Sequence, residues 1–461
     1  MIKLKIKKTI CWLSLTIILT QPLAAEGLSP YSTNELDQLE KEFVQQINQS
    51  ESVERNPLAR QFINRIGKNL AQQGHIKTPD FFIVKSNEIN AFAGPGGHIG
   101  INTQLILITS NESELAGVMA HEIAHVRLHH LYSAIEHQKQ MRIPMLASLL
   151  ASVALGVINP TLGMGAIMGS LSGFSQDTIN FTRSKEKEAD RIGIDMLIKA
   201  GYNPHSMAAF FQKMQENTRY YYTAHIPAIL RSHPLDSDRI AEAQNRTTRF
   251  AKKNYSDSLD YALVKEIIRT DVSRDPRTLL EYYERQCPKI SPPTACQYGH
   301  ALTLLNTNNF TKARELLTPL VIQKNNLYFQ IAMAQAETGL SQYQTALSRL
   351  AEMQINYPDS YAVLMAYSQA LLAANQNEKA VSILLKGSRQ YKQDLSLCKE
   401  LARAQAKINQ KGYAYFTQAQ CLILEGQKRA AVAQLKVARS IAKDDKYLQA
   451  RISAKIEEIM N

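Results

Sequence analysis

The sequence lacks several patterns that would assign it to a large functional class. Its five cysteines include no Cys-x-x-Cys pair, which argues against a thioredoxin-like redox centre and against a thiolate metal cluster. The net charge is +12, but no cluster of Lys and Arg with interleaved aromatic residues occurs, so nucleic acid is not an expected partner. No uninterrupted apolar run reaches the roughly 20 residues that a membrane-spanning helix needs.

The first 25 residues have the pattern of a secretory signal peptide. Four lysines precede an apolar run from Ile10 to Leu19, and the small residues Ala24 and Ala25 suit cleavage after Ala25. A retained membrane anchor is the alternative, but this run has only about half the length that an anchor needs. We therefore expect an exported protein.

Four cysteines remain after removal of this segment: Cys287, Cys296, Cys398 and Cys421. An even number in an exported chain favours disulfides over free thiols, and four cysteines allow three connectivities. Proximity in the sequence favours the pairs Cys287–Cys296 and Cys398–Cys421.

A His-Glu-x-x-His motif is the strongest chemical signal in the chain. Because residues four apart share a helix face, His121 and His125 can bind one metal ion while Glu122 lies beside it. Asn111 is a candidate N-cap with Glu114 three positions on, and apolar residues then recur at helical intervals. The motif predicts a zinc hydrolase; two histidines in an apolar core are the alternative.

A catalytic zinc usually has three protein ligands and one open position, so the histidine pair needs a partner. In a helix, Glu186 and Asp190 share a face, which allows Glu186 to bind zinc and Asp190 to hydrogen-bond a ligand imidazole. The alternating charges from Lys185 to Glu188 by themselves favour a solvated helix. Because this segment follows a His-Glu-x-x-His helix, we prefer the interpretation in which Glu186 binds zinc.

These motifs, in their order, resemble metallopeptidase family forty-eight, which includes the HtpX and CAAX prenyl proteases. The resemblance covers about residues 30 to 250 and rests on His121-Glu-x-x-His125, Glu186-x-x-Ala189-Asp190, and Ser232-His233-Pro234-Leu235 with Arg239-Ile240. It implies one zinc ion held by His121, His125 and Glu186, with Glu122 as the general base. It also implies a mainly α fold, in which a gluzincin-type domain of helices with a small β-sheet carries the site.

The role of His233 has two functional interpretations. It could donate a hydrogen bond to the tetrahedral oxyanion, or it could be a fourth ligand that displaces the catalytic water. The alternative is a residue at a helix start, before Pro234. We expect Arg239 to pair with a carboxylate of the site. The other histidines near the motif are interpreted as surface or core residues without such partners: His98, His129, His130 and His137.

Two further segments of the first half could contact a substrate or a membrane. Asn90 to Asn102 reads as two extended pieces broken by Gly-Pro-Gly-Gly, either an edge that accepts a substrate peptide as an added strand or a simple packed hairpin. Residues 143–174 form two apolar halves around Asn159-Pro160. They predict a helical hairpin that is buried, lies at a membrane surface or closes over the site.

Helical periodicity dominates from about Ser256 onward. Small residues at Ala313, Ala346 and Ala380 recur at intervals of 33 and 34, close to the tetratricopeptide period of 34, and a further unit near Ala430 indicates about one inserted helix. We expect a signal peptide at 1–25, a zinc metallopeptidase domain at 26–255 and a tetratricopeptide α-solenoid at 256–461. A solenoid presents a surface for partners rather than catalytic groups.

Among members of the family, the chain is similar to periplasmic ones that act in outer-membrane protein assembly. This resemblance implies a periplasmic zinc endopeptidase that degrades misfolded or stalled outer-membrane proteins. It also implies contact of the repeats with these proteins and with the β-barrel assembly machinery. The alternative is an assembly chaperone or adaptor whose peptidase activity is latent.

Overall fold

The computed structural model describes residues 33–133, 176–220, 227–251, 253 and 255–460. The proposed signal peptide and the apolar segment 143–174 therefore lie outside the described residues. Within the described ranges, no helix combines the length and the apolar character that crossing a membrane requires.

The first half begins with two helices and a small mixed sheet, as the sequence predicts. Helix α1 is Thr33–Gln49 and α2 is Pro57–Gln73. The strands are β1 Val53–Glu54, β2 Phe81–Val84, β3 Ala91–Ala93 and β4 Ile99–Asn102, and their order in the sheet is β1-β2-β4-β3. Strand β4 runs parallel to β2 and antiparallel to β3, which confirms the hairpin and makes β3 an edge strand.

The turn between β3 and β4 is where glycine is required. Gly96 and Gly97 have φ values of 70° and 82°, which side chains of L-residues rarely adopt. A Cβ on Gly97 would lie 2.9 Å from the Val126 side chain, and one on Gly94 would lie 2.5 Å from the ring of Phe43. The turn therefore fits closely against α1 on one side and the metal-motif helix on the other.

Six helices complete the described part of the first half. They are α3 Thr103–Ile108, α4 Glu112–Arg127, α5 Gln176–Lys199, α6 Ser206–Tyr220, α7 Ala228–Ser232 and α8 Ser237–Thr247. Helix α4 is at the centre, and its residues from Glu112 to Ala124 are all buried. The expected N-cap is confirmed, because the Asn111 side chain accepts a hydrogen bond from the backbone N–H of Glu114 (2.8 Å).

The second half is entirely helical. Its helices are α9 Leu259–Val272, α10 Pro276–Gln286, α11 Thr294–Asn306, α12 Phe310–Gln323, α13 Leu327–Gly339, α14 Tyr343–Asn356, α15 Tyr361–Ala373, α16 Asn377–Gln390, α17 Leu395–Lys407, α18 Lys411–Leu424, α19 Lys428–Ile441 and α20 Lys446–Met460. Both expected disulfides are present, Cys287–Cys296 beside α10 and Cys398–Cys421 between α17 and α18.

The small residues of the repeat pattern occupy equivalent places in successive helices. Ala313, Ala346 and Ala380 are each the fourth residue of a helix, and each is fully buried. Ala431 has the same place in α19. One helix lies between α12 and α14 and one between α14 and α16, but two helices lie between α16 and α19. The inserted helix is therefore confirmed.

The two halves share one hydrophobic core. Helix α9 packs against α2 and α3 of the first half as well as against α11, and α15 also packs on α2. At this junction Arg60 of α2 forms an ion pair with Asp394, which accepts a hydrogen bond from the hydroxyl of Tyr361 (2.7 Å). A chain cut at about Ser256 would therefore expose apolar surface on both pieces, so functional tests need the full chain.

Candidate metal centre

The structure brings all the predicted site residues together from four elements of the first half. They are His121, Glu122 and His125 on α4, Glu186 and Asp190 on α5, His233 directly after α7, and Arg239 in α8. Close approach of α4 and α5 depends on Gly193. A Cβ there would lie 3.2 Å from backbone atoms of Ala120 and His121, tighter than ordinary contact.

Four side chains converge with the spacing that one metal ion needs. One ligand atom from each of His121, His125, Glu186 and His233 lies within 4.8 Å of the others. The Nε2 atoms of His121 and His125 are 3.0 Å apart, and they lie 3.3 and 3.4 Å from the Glu186 carboxylate oxygens. Zinc–nitrogen bonds of about 2.0–2.1 Å place tetrahedral ligand atoms about 3.3 Å apart, so this donor set fits zinc.

His233 completes the set through Nδ1. This atom lies 3.1 Å from a carboxylate oxygen of Glu186 and 3.4 Å from Nε2 of His121. Its other ring nitrogen, Nε2, is directed to Glu122, at 3.5 Å from the nearer carboxylate oxygen. The imidazole therefore lies between the group expected to bind metal and the group expected to act as base.

Asp190 and Arg239 contact the ligand side chains from outside the cluster and fix their positions. Asp190 lies 2.9 Å from Nδ1 of His121, which leaves the opposite nitrogen of that ring directed at the cluster. Arg239, which is 2% exposed, donates hydrogen bonds of 2.8 Å from Nε and Nη2 to Asp190, and its Nη1 lies 3.0 Å from Glu186. It also donates to the backbone oxygen of Pro234 (2.7 Å), which ties down the turn that carries His233.

Glu122 has an unusual environment for a buried carboxylate. It is 1% exposed, and neither of its carboxylate oxygens has a hydrogen-bond partner among the described residues. Burial of a polar group without a partner costs about 1–3 kcal/mol, and more for a charged group. A polar molecule beside Glu122, such as the water that hydrolysis consumes, would remove this cost.

Burial and neighbouring charges act in opposite directions on the pKa values of the site residues. Burial disfavours the charged form of His121, but contacts with Asp190 and Glu186 outweigh it and raise its pKa to about 10. Burial lowers the pKa of His125 well below its usual value. Despite burial, His233 and His125 hold the pKa of Glu186 well below its usual range. Since metal ligands must be deprotonated, a dication would displace the extra proton of His121, whereas His125 is already neutral.

His130 contacts a candidate metal ligand, and the sequence did not indicate this. We expected it to have no partner in the site, and this was wrong. Its Nδ1 lies 2.9 Å from Nδ1 of His125, and its Nε2 lies 3.5 Å from a carboxylate oxygen of Glu188. Helix α4 ends at Arg127, and His129 has a φ of 52°, a left-handed turn that directs His130 back under the helix. Helical spacing cannot reveal this, because the contact crosses a helix end.

The contact of His130 predicts an effect on metal affinity. His125 directs Nε2 into the cluster, so its Nδ1 carries the proton and donates to His130. His130→Leu should therefore weaken zinc binding by about 10–100-fold, the usual cost of losing such a partner. His130→Asn, whose side-chain oxygen can accept at a similar place, should restore most of it. Competition with a chromophoric chelator measures both, and equal affinities for the Leu and Asn variants would contradict this role.

The remaining histidines near the motif are separate from the cluster. His98 lies 3.3 Å from Glu40 of α1, and the exposed His129 packs beside the ring of Tyr132. His137 lies outside the described residues.

Comparison with known proteins finds similarity in both halves of the chain. Residues 57–247 match the model of peptidase family M48, and residues 339–408 match a tetratricopeptide repeat. The chain is 31% identical over 422 residues to the beta-barrel assembly-enhancing protease of Yersinia pestis, covering 90% of this chain and 86% of that protein. The protein of the same name from Escherichia coli K12 is 31% identical over 424 residues, with the same coverage. The mitochondrial metalloendopeptidase OMA1 of Bos taurus is 28% identical over 161 residues, 34% of this chain and 30% of that protein.

Proposed function

Because this chain belongs to peptidase family M48, as a metalloendopeptidase with tetratricopeptide repeats, we propose that it is a periplasmic zinc enzyme that degrades misfolded or stalled outer-membrane proteins. The observation that carries the proposal is the buried carboxylate of Glu122, which has no hydrogen-bond partner among the described residues, beside four side chains spaced for one zinc ion. The relatives' name supports action in outer-membrane protein assembly.

Different residues would perform the metal-binding, proton-transfer and positioning roles in peptide hydrolysis. His121, His125 and Glu186 would hold zinc, which when bound supplies the Lewis acidity that polarises a scissile carbonyl and acidifies a water. Glu122 accepts the proton of the attacking water and passes it to the leaving amine. Asp190 fixes the ring orientation of His121, and Arg239 fixes Asp190 and Glu186. Each group is therefore placed before substrate arrives.

Edge strand β3 is suited to hold the substrate main chain. It pairs with β4 on one side, and among the described strands nothing pairs with its other side. It also packs against α4, which carries the metal motif. A peptide added along β3 would be bound through backbone hydrogen bonds, which tolerate many sequences. Such tolerance suits an enzyme whose substrates are misfolded chains.

The repeats are proposed to contact client proteins and the β-barrel assembly machinery. Helix α15, whose residues are mostly buried, faces α2, so the exposed surface of these repeats lies largely on α12, α14 and α16. Those helices carry exposed apolar side chains at Ile322, Ile355 and Leu385. These exposed apolar side chains would form the partner surface.

The proposed activity can be tested with the purified full chain. Loaded with zinc, it should cleave an unfolded outer-membrane β-barrel protein and leave the same protein intact once it is folded in detergent. Gel analysis over time measures both, and addition of a chelator should stop the cleavage. Failure to cleave either form, with zinc bound at one ion per chain, would count against the proposal.

His233 is proposed to be a latch on this activity. Its Nδ1 lies 3.1 Å from Glu186 and 3.4 Å from His121, so His233 would act as a fourth protein ligand when zinc is bound and would occupy the place that water needs. His233→Ala should therefore raise the rate of cleavage severalfold, measured as kcat on a fluorogenic peptide. The control is His75→Asn, at an exposed histidine after α2 whose left-handed backbone asparagine tolerates, and it should change nothing. A fall in kcat for His233→Ala would instead favour the oxyanion role.

The latch geometry also favours a second function, an assembly chaperone whose peptidase is normally shut. The peptidase and chaperone functions can be distinguished in cells that lack their own gene for this protein. If a Glu122→Gln chain restores resistance to large antibiotics that an intact outer membrane excludes, the non-proteolytic role is the main one. If only the unaltered chain restores it, proteolysis is the main role.

A further inference from the structure

A largely apolar cavity opens beside the metal centre, between α4, α6 and α7. The empty space there is about 420 Å³ when the open solvent at its mouth is included. Its walls include Gly117, Met207, Phe210, Met214, Leu230 and Leu235, and two candidate zinc ligands, His121 and His233, also line it. A group in this cavity would therefore lie next to the reacting atoms.

Gly117 is the wall residue that packing does not explain. It lies in the interior of α4, where glycine is less stabilising than alanine, and four residues before His121, so it shares a face with that ligand. A Cβ at Gly117 would meet Met207 at 3.5 Å, an ordinary contact, so alanine would fit. Gly193 differs, because a Cβ there would press on backbone at 3.2 Å. The missing side chain at Gly117 thus keeps space in the cavity.

The charges at the cavity exclude ionic side chains. Arg239 is the only lysine or arginine among the residues that line it. Four of its five N–H groups are already engaged by Asp190, Glu186 and the backbone of Pro234, so it offers little to an acidic side chain. A basic side chain would be repelled by Arg239. Methionine walls adapt to apolar groups of different shape.

We infer that this cavity receives a large apolar side chain of the substrate, such as Leu, Phe or Met, at one of the two residues flanking the scissile bond. The inference rests on the proposed peptidase function and adds its sequence preference. Backbone pairing along β3 tolerates many sequences, whereas the cavity selects one side chain. Cleavage would thus concentrate at apolar positions, which folded proteins bury and misfolded ones expose.

The test uses the zinc-loaded full chain and synthetic peptides that differ only at the residues flanking one scissile bond. Peptides with Leu or Phe at one flanking position should have a kcat/KM about 10-fold or more above the peptide with Ala there, and those with Asp or Lys should fall below it. Gly117→Ala, which fills part of the cavity, should reduce the preference for Phe. Leu230→Ala, which enlarges it, should shift the preference from Leu towards Phe. Ile441→Ala, which truncates an exposed apolar side chain at the end of α19, is the control.

Binding of the same peptides to the zinc-loaded Glu122→Gln chain, measured by fluorescence anisotropy, gives a second readout. The Leu peptide should bind at least severalfold more tightly than the Ala peptide. Equal kcat/KM and equal binding for Leu, Ala and Asp at both flanking positions would overturn the inference. A chain that cleaves none of the peptides contradicts the proposed function instead, and the binding comparison still decides what the cavity accepts.

Discussion

Glu122→Gln should lower kcat for peptide cleavage by about 10²–10⁴-fold while the chain keeps one zinc ion. The amide has nearly the shape of the carboxylate but cannot accept a proton from the attacking water. Since neither carboxylate oxygen of Glu122 bonds to another described residue, the change breaks no hydrogen bond of the fold. Steady-state kinetics on a fluorogenic peptide, with metal analysis of the same sample, measures both parts of the prediction.

The matched control for this variant is Glu352→Gln, on the exposed surface of α14. It makes the same chemical change far from the motif and should leave kcat, zinc content and melting temperature unaltered. Cleavage at the unaltered rate by the Glu122→Gln chain would sink the assignment of the general base. Loss of zinc from that chain would mean that Glu122 belongs to the ligand set.

Glu186→Ala should abolish stoichiometric zinc binding. The change removes an anionic donor whose two oxygens lie 3.3 and 3.4 Å from the ring nitrogens of His121 and His125. It also leaves one terminal nitrogen of Arg239 without its carboxylate partner, which puts a less compensated positive charge beside the cation. The loss of affinity should exceed the roughly 10–100-fold that removal of an outer hydrogen-bond partner costs. Chelator competition measures it.

Asp195→Ala is the control on the same helix, because Asp195 is exposed and the substitution also removes one negative charge from α5. It should keep full zinc occupancy. If the Glu186→Ala chain still held one zinc ion with unchanged affinity, another residue would have to be the third ligand. The double variant Glu186→Ala/His233→Ala then identifies it, since His233 is the remaining donor of the cluster.

Local chain geometry made much of the site predictable. The spacing of His121 and His125 places two imidazoles on one face of any α-helix, whatever the helix packs against. The cap at Asn111 likewise depends on a residue only three positions away. The pairing of Glu186 with Asp190 on one face followed from the same rule. In the second half, recurrence of Ala313, Ala346 and Ala380 predicted the repeats because each repeat packs on its neighbour in the same way.

Contacts between distant segments were not predictable in this way. The sequence indicated that Arg239 would meet a carboxylate, but only packing of α8 against α5 shows that it holds both Asp190 and Glu186. His130 reaches His125 across the end of a helix, where periodicity no longer applies. The expected division at 255–256 did not indicate that α9 and α15 bury apolar surface of the first half.

By itself, then, the sequence determined the two helical metal motifs and the repeats and favoured the two disulfide pairs, because each depends on spacing along the chain. Tertiary structure alone decided that Nδ1 of His233 enters the ligand cluster, that Glu122 is buried without a partner, and that a cavity lies beside them. These features depend on how α4, α5 and α7 pack, and packing is set by the shapes of side chains that meet from distant parts of the chain.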